Sequence, residues 1–497
     1  MKKWLFILLS IGLILSCTDE VNLSENQEED LTNTTGYLEV YLRNPVATRS
    51  TWSYEDYFPN SDIFSEDSKE ERLLHNLSIA YFDNDFLLEH FATTIDLSDM
   101  YPYSSDIYAG YTAESKKEYS AFTLGMAGLP LTTGAHYFYI LCNLPQEYLS
   151  WLSDKCRSNI NNLTKDEFEK FVLDYPVEGV TNVPYDTLGI SKETGKPYRF
   201  RRCLMTNITS PAPHYMADKS LIVGSGSYPA VNGISMDIGK SFAKISLAYV
   251  PGQTKGTLEQ VQYRIANDPK RMYMLPNIFN AQVHTPHYNA HPDDYASFDD
   301  YFREHFNSFS AVLKNNEEVS DDADEANDFR WRAASTPENT TSAYCMENGN
   351  QTPLQGNSTM ILVKATYVPE EWLNPDGTPG NKSNDNTFWR VKNSAGEYLP
   401  GYYNSKPVIR STQTAVKYQN GITYYPIWLQ TDGKYMVARN HYYKIAITEV
   451  INAGEPDLES VFTPETPLES SSTQIRSVAS GDNISGASNG IRWEQNN

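Results

Sequence analysis

The sequence predicts an all-β protein with helical insertions, and three observations carry that prediction. Apolar residues recur with period two in run after run, as in Leu77 to Phe82 and Phe242 to Val250. Turn-forming clusters such as Asp83-Asn84-Asp85 and Asn143-Leu144-Pro145 separate those runs. The chain also holds 35 Tyr against 20 Phe, and tyrosine, with an apolar ring and a polar tip, suits half-buried strands and wet surfaces.

In chain order, residues 1–16 read as an export signal. Lys2 and Lys3 precede the apolar run Trp4 to Leu15, which is too short to span a bilayer at about 20 residues. The run ends Ile14-Leu15-Ser16-Cys17, which resembles the bacterial lipoprotein box whose cysteine is lipidated; an ordinary signal with a chance cysteine is the alternative. A polar, acidic tether follows from Thr18 to Thr35. Then comes an isolated strand, Gly36 to Asn44, with Leu38, Val40 and Leu42 on one face and Glu39, Tyr41 and Arg43 on the other. Burying its three apolar side chains would contribute roughly 5–9 kcal/mol before entropy, so the strand needs a sheet. Pro45-Val46-Ala47-Thr48-Arg49 closes it beside Ser50, a basic cleavage-type site.

Beyond that point strands dominate. His136 to Cys142 is a continuous apolar run, consistent with a buried central strand. Ile234 to Ile238, Phe242 to Val250, Met360 to Val368, Tyr424 to Leu429 and Tyr442 to Val450 complete the set. One stretch breaks the pattern. Tyr148, Leu149 and Leu152 lie at helical spacing within Gln146 to Cys156, and Thr164-Lys165-Asp166-Glu167 is a capping box opening a second helix that carries Phe168, Phe171 and Val172. The best internal boundary is the turn cluster Pro251 to Gly256. It divides the chain into residues 50–251 and 252–497, each large for one sandwich because of insertions at Ala281 to Ala334 and Asn374 to Asn386.

Composition narrows the function. A net charge of −23 argues against nucleic acid, whose recognition needs clustered Lys and Arg. Apart from Cys17, the cysteines Cys142, Cys156, Cys203 and Cys345 are scattered without CxxC spacing, and a free buried thiol is the expected state of Cys142 and Cys203. His284, His287, His291 and His305 crowd together with Asp293, Asp294, Asp299, Asp300 and Glu304, which invites a metal reading. No HExxH accompanies them and the spacing fits no closed ligand set, so a solvated loop is preferred and no metal or cofactor is assigned. P-loop and strand-linked GxGxxG motifs are absent from the sequence, which makes no case for an enzyme.

An ordered series of motifs carries a family resemblance. Leu38-x-Val40-x-Leu42, Ala47-Thr48-Arg49, Leu77 to Phe82 and Tyr137 to Asn143 come first. Leu204-Met205-Thr206-Asn207 and Lys240-Ser-Phe-Ala-Lys244 follow, then Ile361 to Ala365 and Tyr424 to Trp428. Arg439-Asn-His-Tyr-Tyr-Lys444, followed by Gly454-Glu455-Pro456, is the most specific. The series resembles the Bacteroidales fimbrillins, lipoprotein precursors of type V pili, and is nearest to their minor-fimbrium major-subunit branch. The resemblance implies two transthyretin-like β-sandwich domains in tandem. It implies that Cys17 is lipidated and carries the precursor to the outer membrane. It implies further that an Arg-specific protease cuts Arg49–Ser50 and releases a propeptide, residues 17–49, whose Leu38, Val40 and Leu42 had plugged a groove. The partners implied are other fimbrial subunits, one of which refills the groove with a C-terminal strand. Here the chain departs from the pattern, because Asn489 to Asn497 has Trp493 in place but few apolar neighbours. A tip or anchor component of the fimbrium, or a monomeric glycan-binding surface lipoprotein, is the alternative expectation.

Overall fold

The computed structural model describes residues 35–43, 77–93, 122–130, 134–144, 146–174, 185–190, 197–201, 204–208, 211, 214–216, 233–250, 255–279, 282–307, 331–336, 341–468, 484–488 and 490–496. The chain is mostly β-sheet with three short helices among these residues, in agreement with the predicted class.

The first half builds one eight-stranded sheet. Its strands are β1 (Thr35–Arg43), β2 (Leu77–Phe82), β3 (Leu88–Thr93), β4 (Phe122–Pro130), β5 (Gly134–Cys142), β6 (Met205–Asn207), β7 (His214–Met216) and β8 (Gly233–Lys240). The order is β3-β2-β5-β6-β8-β1-β4, with β7 attached to β5. The continuous apolar run of β5 reflects its place between β2 and β6, where both faces are covered. The expected turn after β2 forms as Asp83 Oδ1 accepts from the amides of Asp85 and Leu87, both at 2.9 Å.

Two helices interrupt this half, α1 (Gln146–Arg157) and α2 (Lys165–Glu169). Leu149, Leu152 and Cys156 of α1 and Phe168 of α2 pack on Ala80, Phe82, Leu88, Phe91, Tyr139 and Leu141 of the sheet. The capping box is present as read: Thr164 Oγ1 accepts from Glu167 N, while Glu167 Oε2 accepts from Thr164 N at 3.0 Å. The helix is shorter than its apolar spacing suggested. It ends at Glu169, and Val172–Asp174 is a strand paired with Arg271–Tyr273. The loop before α2 also covers the exposed side of the β2–β3 hairpin, since Leu88 N donates to Leu163 O and Lys165 N to Phe86 O.

The second half is a two-sheet sandwich. It contains β9 (Phe242–Tyr249), β10 (Gly256–Ala266), α3 (Phe298–His305), β11 (Arg332–Ala333), β12 (Ala343–Met346), β13 (Met360–Pro369), β14 (Ile422–Trp428), β15 (Tyr442–Val450), β16 (Ile484–Ser488) and β17 (Ile491–Asn496). One sheet runs β12-β9-β15-β17-β16 and the other β11-β10-β13-β14. Between them lie Ile245 and Leu247 of β9, Tyr263 and Ile265 of β10, Ile361, Val363 and Tyr367 of β13, Tyr425 of β14 and Ile445 of β15. Met360 and Leu362 point the other way, onto Tyr301, Phe302, Phe306 and Phe462. The insertion containing α3 therefore covers the outer face of the second sheet, which explains why β13 opens on the unbroken run Met360-Ile-Leu-Val363.

The expected division after Pro251 does not coincide with the change of sheet. β9 pairs with β12 and β15 of the second half, so the chain crosses between the sheets at Ser241, between β8 and β9. The turn cluster at Pro251 instead follows a strand already inside the sandwich. Of the cysteines, Cys142, Cys156 and Cys345 are free and buried. Burial raises the thiol pKa of Cys142 and pushes that of Cys156 up to about 12, which keeps them protonated and inert.

Thr164→Ala removes one side of the capping box and is expected to cost about 1 kcal/mol, with Thr164→Ser recovering most of it. Urea unfolding of the two variants checks this.

Candidate assembly interface

The strand singled out at the N-terminus lies inside the sheet. β1 is flanked by β8, to which it runs parallel, and by β4, to which it runs antiparallel. Val40 stands opposite Ile234 and Leu124, and Leu42 opposite Met236 and Phe122. The β4 ladder shifts register between Leu38 and Val40, a bulge that marks this position along the strand. β8 is shared: Glu39 to Arg43 of β1 pair with Gly233 to Asp237, while Ile238 to Lys240 pair with β6. Removing β1 would leave the facing edges of β4 and β8 without a partner. Cys17, Arg49 and Ser50 lie outside the described residues.

At the other end, β17 is paired with both β15 and β16. Ile491 and Trp493 belong to the sandwich core, and Gln495 is fully buried, exchanging hydrogen bonds with the backbone of Gln430. Arg492 on the opposite face pairs with Glu449 at 2.7 Å. Gly490 turns the hairpin at φ +112°, where a Cβ would stand 2.5 Å from Asn452 O. The Trp493 indole N–H is buried without an acceptor.

Between these two ends the quoted motifs converge on the junction of the halves. Lys240-Ser-Phe-Ala-Lys244 and Arg439-Asn-His-Tyr-Tyr-Lys444 are neighbours, because Lys244 stands opposite Tyr442 in the parallel β9–β15 ladder. The Lys244 and Lys444 ammonium groups both sit over the Tyr442 ring, at 5.0 and 5.1 Å. Asn440 lies in the left-handed region at φ 59° and its Oδ1 accepts from Lys240 N at 3.0 Å. A Cβ on Gly239 would meet that Asn440 side chain at 2.8 Å, so the close approach requires glycine. Asn207 of the Leu204–Asn207 motif bridges into β5, accepting from Ile140 N at 2.7 Å and donating to Phe138 O. Tyr424, from Tyr424–Trp428, exchanges backbone hydrogen bonds with Glu455 of Gly454-Glu455-Pro456.

Arg439 anchors the junction through a residue that the sequence pattern did not single out. Its Nε donates to Glu347 Oε2 at 2.7 Å and its Nη2 to Glu347 Oε1, making a two-pronged pair. Two further N–H groups go to the carbonyls of Tyr273, at 2.7 Å, and Met274, at 3.2 Å. Glu347 is fully buried. Its only sequence signal is a carboxylate directly after the apolar strand Ala343–Met346.

The histidine-rich stretch forms local structure. His291 caps the turn Pro292–Asp294, and His305 Nε2 lies 2.6 Å from the Tyr295 hydroxyl. His284 stacks on Tyr288 at 3.9 Å. His287 is buried, its Nε2 3.0 Å from Asn348 Oδ1 and 3.1 Å from Thr285 Oγ1. Because the Thr285 hydroxyl donates to Gly349 O, His287 Nε2 carries the hydrogen in this neutral arrangement. Burial depresses its pKa from 6.5 to about 3, partly offset by the Asn348 hydrogen bond and reinforced by nearby His305. Among the described residues, no group of three or more His, Cys, Asp or Glu side chains is placed to hold a metal ion.

Residues 416–478, which contain β14, β15 and the Arg439 anchor, match the model of the major fimbrial subunit protein type IV family, fimbrillin, C-terminal. This segment resembles the C-terminal region of the fimbrillins. The resemblance read from the motifs holds at the level of the family, and the match stops short of the β16–β17 hairpin. No curated protein sequence matches the chain. Among solved structures, a provisionally described cell adhesion protein from Parabacteroides distasonis aligns at 11% identity over 93% of this chain and 98% of its own, with a TM-score of 0.39. The tip fimbrial protein Mfa3 from Porphyromonas gingivalis aligns at 13% identity over 82% and 95%, with a TM-score of 0.32. A fimbrial assembly protein from Parabacteroides distasonis aligns at 9% identity over 83% and 90%, with a TM-score of 0.31.

Arg439→Ala strands a buried carboxylate and is expected to cost about 3–5 kcal/mol, whereas the double variant Arg439→Met/Glu347→Leu recovers most of that loss. Chemical denaturation of the three proteins measures it. His287 gives a pH signature of known sign. Its folded pKa lies below the unfolded value of 6.5, so its contribution is complete above that pH and is lost as pH falls toward about 3. The slope is about 1.4 kcal/mol per pH unit. The difference in unfolding free energy between wild type and His287→Gln, followed over that window, should shrink with that slope.

Proposed function

We propose that this chain is a structural subunit of a cell-surface fimbrium, exported as a lipoprotein, cut after Arg49 and polymerised by strand replacement. The family match supports the fimbrial part. The observation that carries the assembly part is the position of β1, an interior strand with a partner on each side, close in sequence to Arg49–Ser50. On this reading Cys17 holds the precursor at the outer membrane and Leu38, Val40 and Leu42 occupy the groove. An Arg-specific protease then frees the groove for a strand of the next subunit, a head-to-tail contact that builds a filament without closing. No helix among the described residues is long and apolar enough to cross a membrane, which leaves the lipid as the proposed attachment. The minor-fimbrium major-subunit branch is the proposed placement within the family, and a role without catalysis accompanies it.

A specific observation favours a second reading, that of a tip or anchor component. Ile491 and Trp493 are committed to this chain's own sandwich, so the C-terminal strand is engaged rather than offered to a neighbour. Deleting Ile491 to Asn497 would therefore damage the core as well as any donor role. A cleaner test locks β17 in place with a disulfide formed in the double variant Ala446→Cys/Glu494→Cys, whose two positions face each other across the ladder.

In the native host, Arg49→Ala is expected to abolish polymer ladders on unheated gels, and mass spectrometry of wild-type mature protein should find Ser50 at the N-terminus. Unchanged ladders from Arg49→Ala would remove the cleavage step. The oxidised form of the double cysteine variant should stop elongation if β17 is the donor; normal fibres would move the donor role elsewhere or dismiss it. An acylated Cys17 retained on a monomer would favour the glycan-binding lipoprotein instead.

A further inference from the structure

A cavity of about 730 Å³ opens at one end of the second sandwich, where β10 and β17 begin and β13 and β15 end. Its volume falls within the range of ligand clefts, about 300–1,000 Å³. Arg390, only 4% exposed, lines it from the strand Phe388–Lys392. The guanidinium lies 4.2 Å from the Tyr398 ring centroid and 5.3 Å from that of Tyr402, and Nη1 donates to Ala453 O at 3.2 Å. Its Nε–H is buried without an acceptor, so the protein leaves part of this donor set unused.

The rest of the wall is fixed in the same manner. Glu455 accepts from the Tyr398 hydroxyl at 2.9 Å and pairs with Lys392 at 3.4 Å. The Tyr402 hydroxyl stands 3.0 Å from that of Tyr367. Glu370, Glu371 and Lys255 are exposed and complete the rim. Polar groups held by second interactions present a ready-made surface to a ligand, at low ordering cost.

We propose that this cavity binds a saccharide. Three carboxylates, Glu370, Glu371 and Glu455, share the wall with two cations, Lys255 and Arg390. An anion meets the carboxylates at close range, and an amine meets Arg390 and Lys255. Vicinal hydroxyls satisfy both sets, donating to carboxylate oxygens and accepting from guanidinium and ammonium N–H groups. The aromatic rings act here as supports for Arg390, since cations already lie over Tyr398. The proposal is independent of strand replacement, because every residue it uses lies outside β1 and the binding can be read on unpolymerised protein.

Saturation-transfer NMR on the full purified chain tests it, with glucose, galactose, mannose, N-acetylglucosamine, lactose and maltose as probes and spermidine as the cationic control. Transfer to at least one sugar is expected, with affinity about tenfold weaker in Glu371→Gln and in Arg390→Lys. Glu371 is exposed, so its variant keeps the fold even if the Arg390 variant loses stability. Absence of transfer to every sugar would overturn the proposal. So would transfer of equal strength in wild type and Glu371→Gln and Arg390→Lys, or binding of spermidine without any sugar.

Discussion

Where the two halves meet, a guanidinium and a carboxylate sit out of contact with water. Taking either charge from solvent costs several kcal/mol, and the cost is recovered only when every donor finds an acceptor. Arg439 approaches that condition by sending four N–H groups to Glu347 and the carbonyls of Tyr273 and Met274. Through them it draws in the Val172–Asp174 strand, which pairs with Arg271–Tyr273. Its chain neighbour Asn440 holds the β8 end through Lys240 N. The hydrophobic core follows the same path, since Phe242, Met272, Met274, Tyr344 and Met346 of the second half pack with Phe82, Leu141 and Phe168 of the first. The halves are thus one packed body at this seam.

This seam also separates what was legible in the sequence from what was not. Period-two runs located the strands because each needs only local alternation. The Thr164–Glu167 box was legible because its two hydrogen bonds close within four residues. The helix end was not: Phe171 and Val172 continue the apolar spacing, but Val172–Asp174 found a strand partner about a hundred residues away, at Arg271–Tyr273. The sheet change at Ser241 was missed for a related reason. Pro251-Gly252 has strong turn chemistry, whereas the crossing at Ser241 is defined by partners distant in sequence, with Gly239 against Asn440 and Ser241 N donating to Leu204 O. Arg439 and Asn440 stood out as a pattern, yet Glu347 carries no pattern of its own. Its importance comes wholly from burial beside Arg439.

The histidines give the converse lesson. Crowding in sequence invites a metal reading, for which a solvated loop is the preferred alternative, but His287 is buried and the rings serve in a cap, a stack, a tyrosine contact and a buried amide network. In an insertion that must cover the outer face of a sheet, imidazole serves as a flat, partly apolar filler with two polar corners. Its proximity to aspartates reflects the turn chemistry of the segment.

The placement of β1 has a directional consequence. Its two neighbours run in opposite senses relative to it, parallel on the β8 side and antiparallel on the β4 side. Any strand filling that slot, pointing either way, would make one ladder of each kind. Hydrogen-bond geometry therefore scarcely distinguishes the two senses, since the ladder types differ only slightly in strength per residue. The choice of heading passes to asymmetric details: the bulge between Leu38 and Val40, and the different residues that face each end. In a polymer built through such a slot, the polarity of the fibre would be written in side-chain shape and scarcely at all in the backbone.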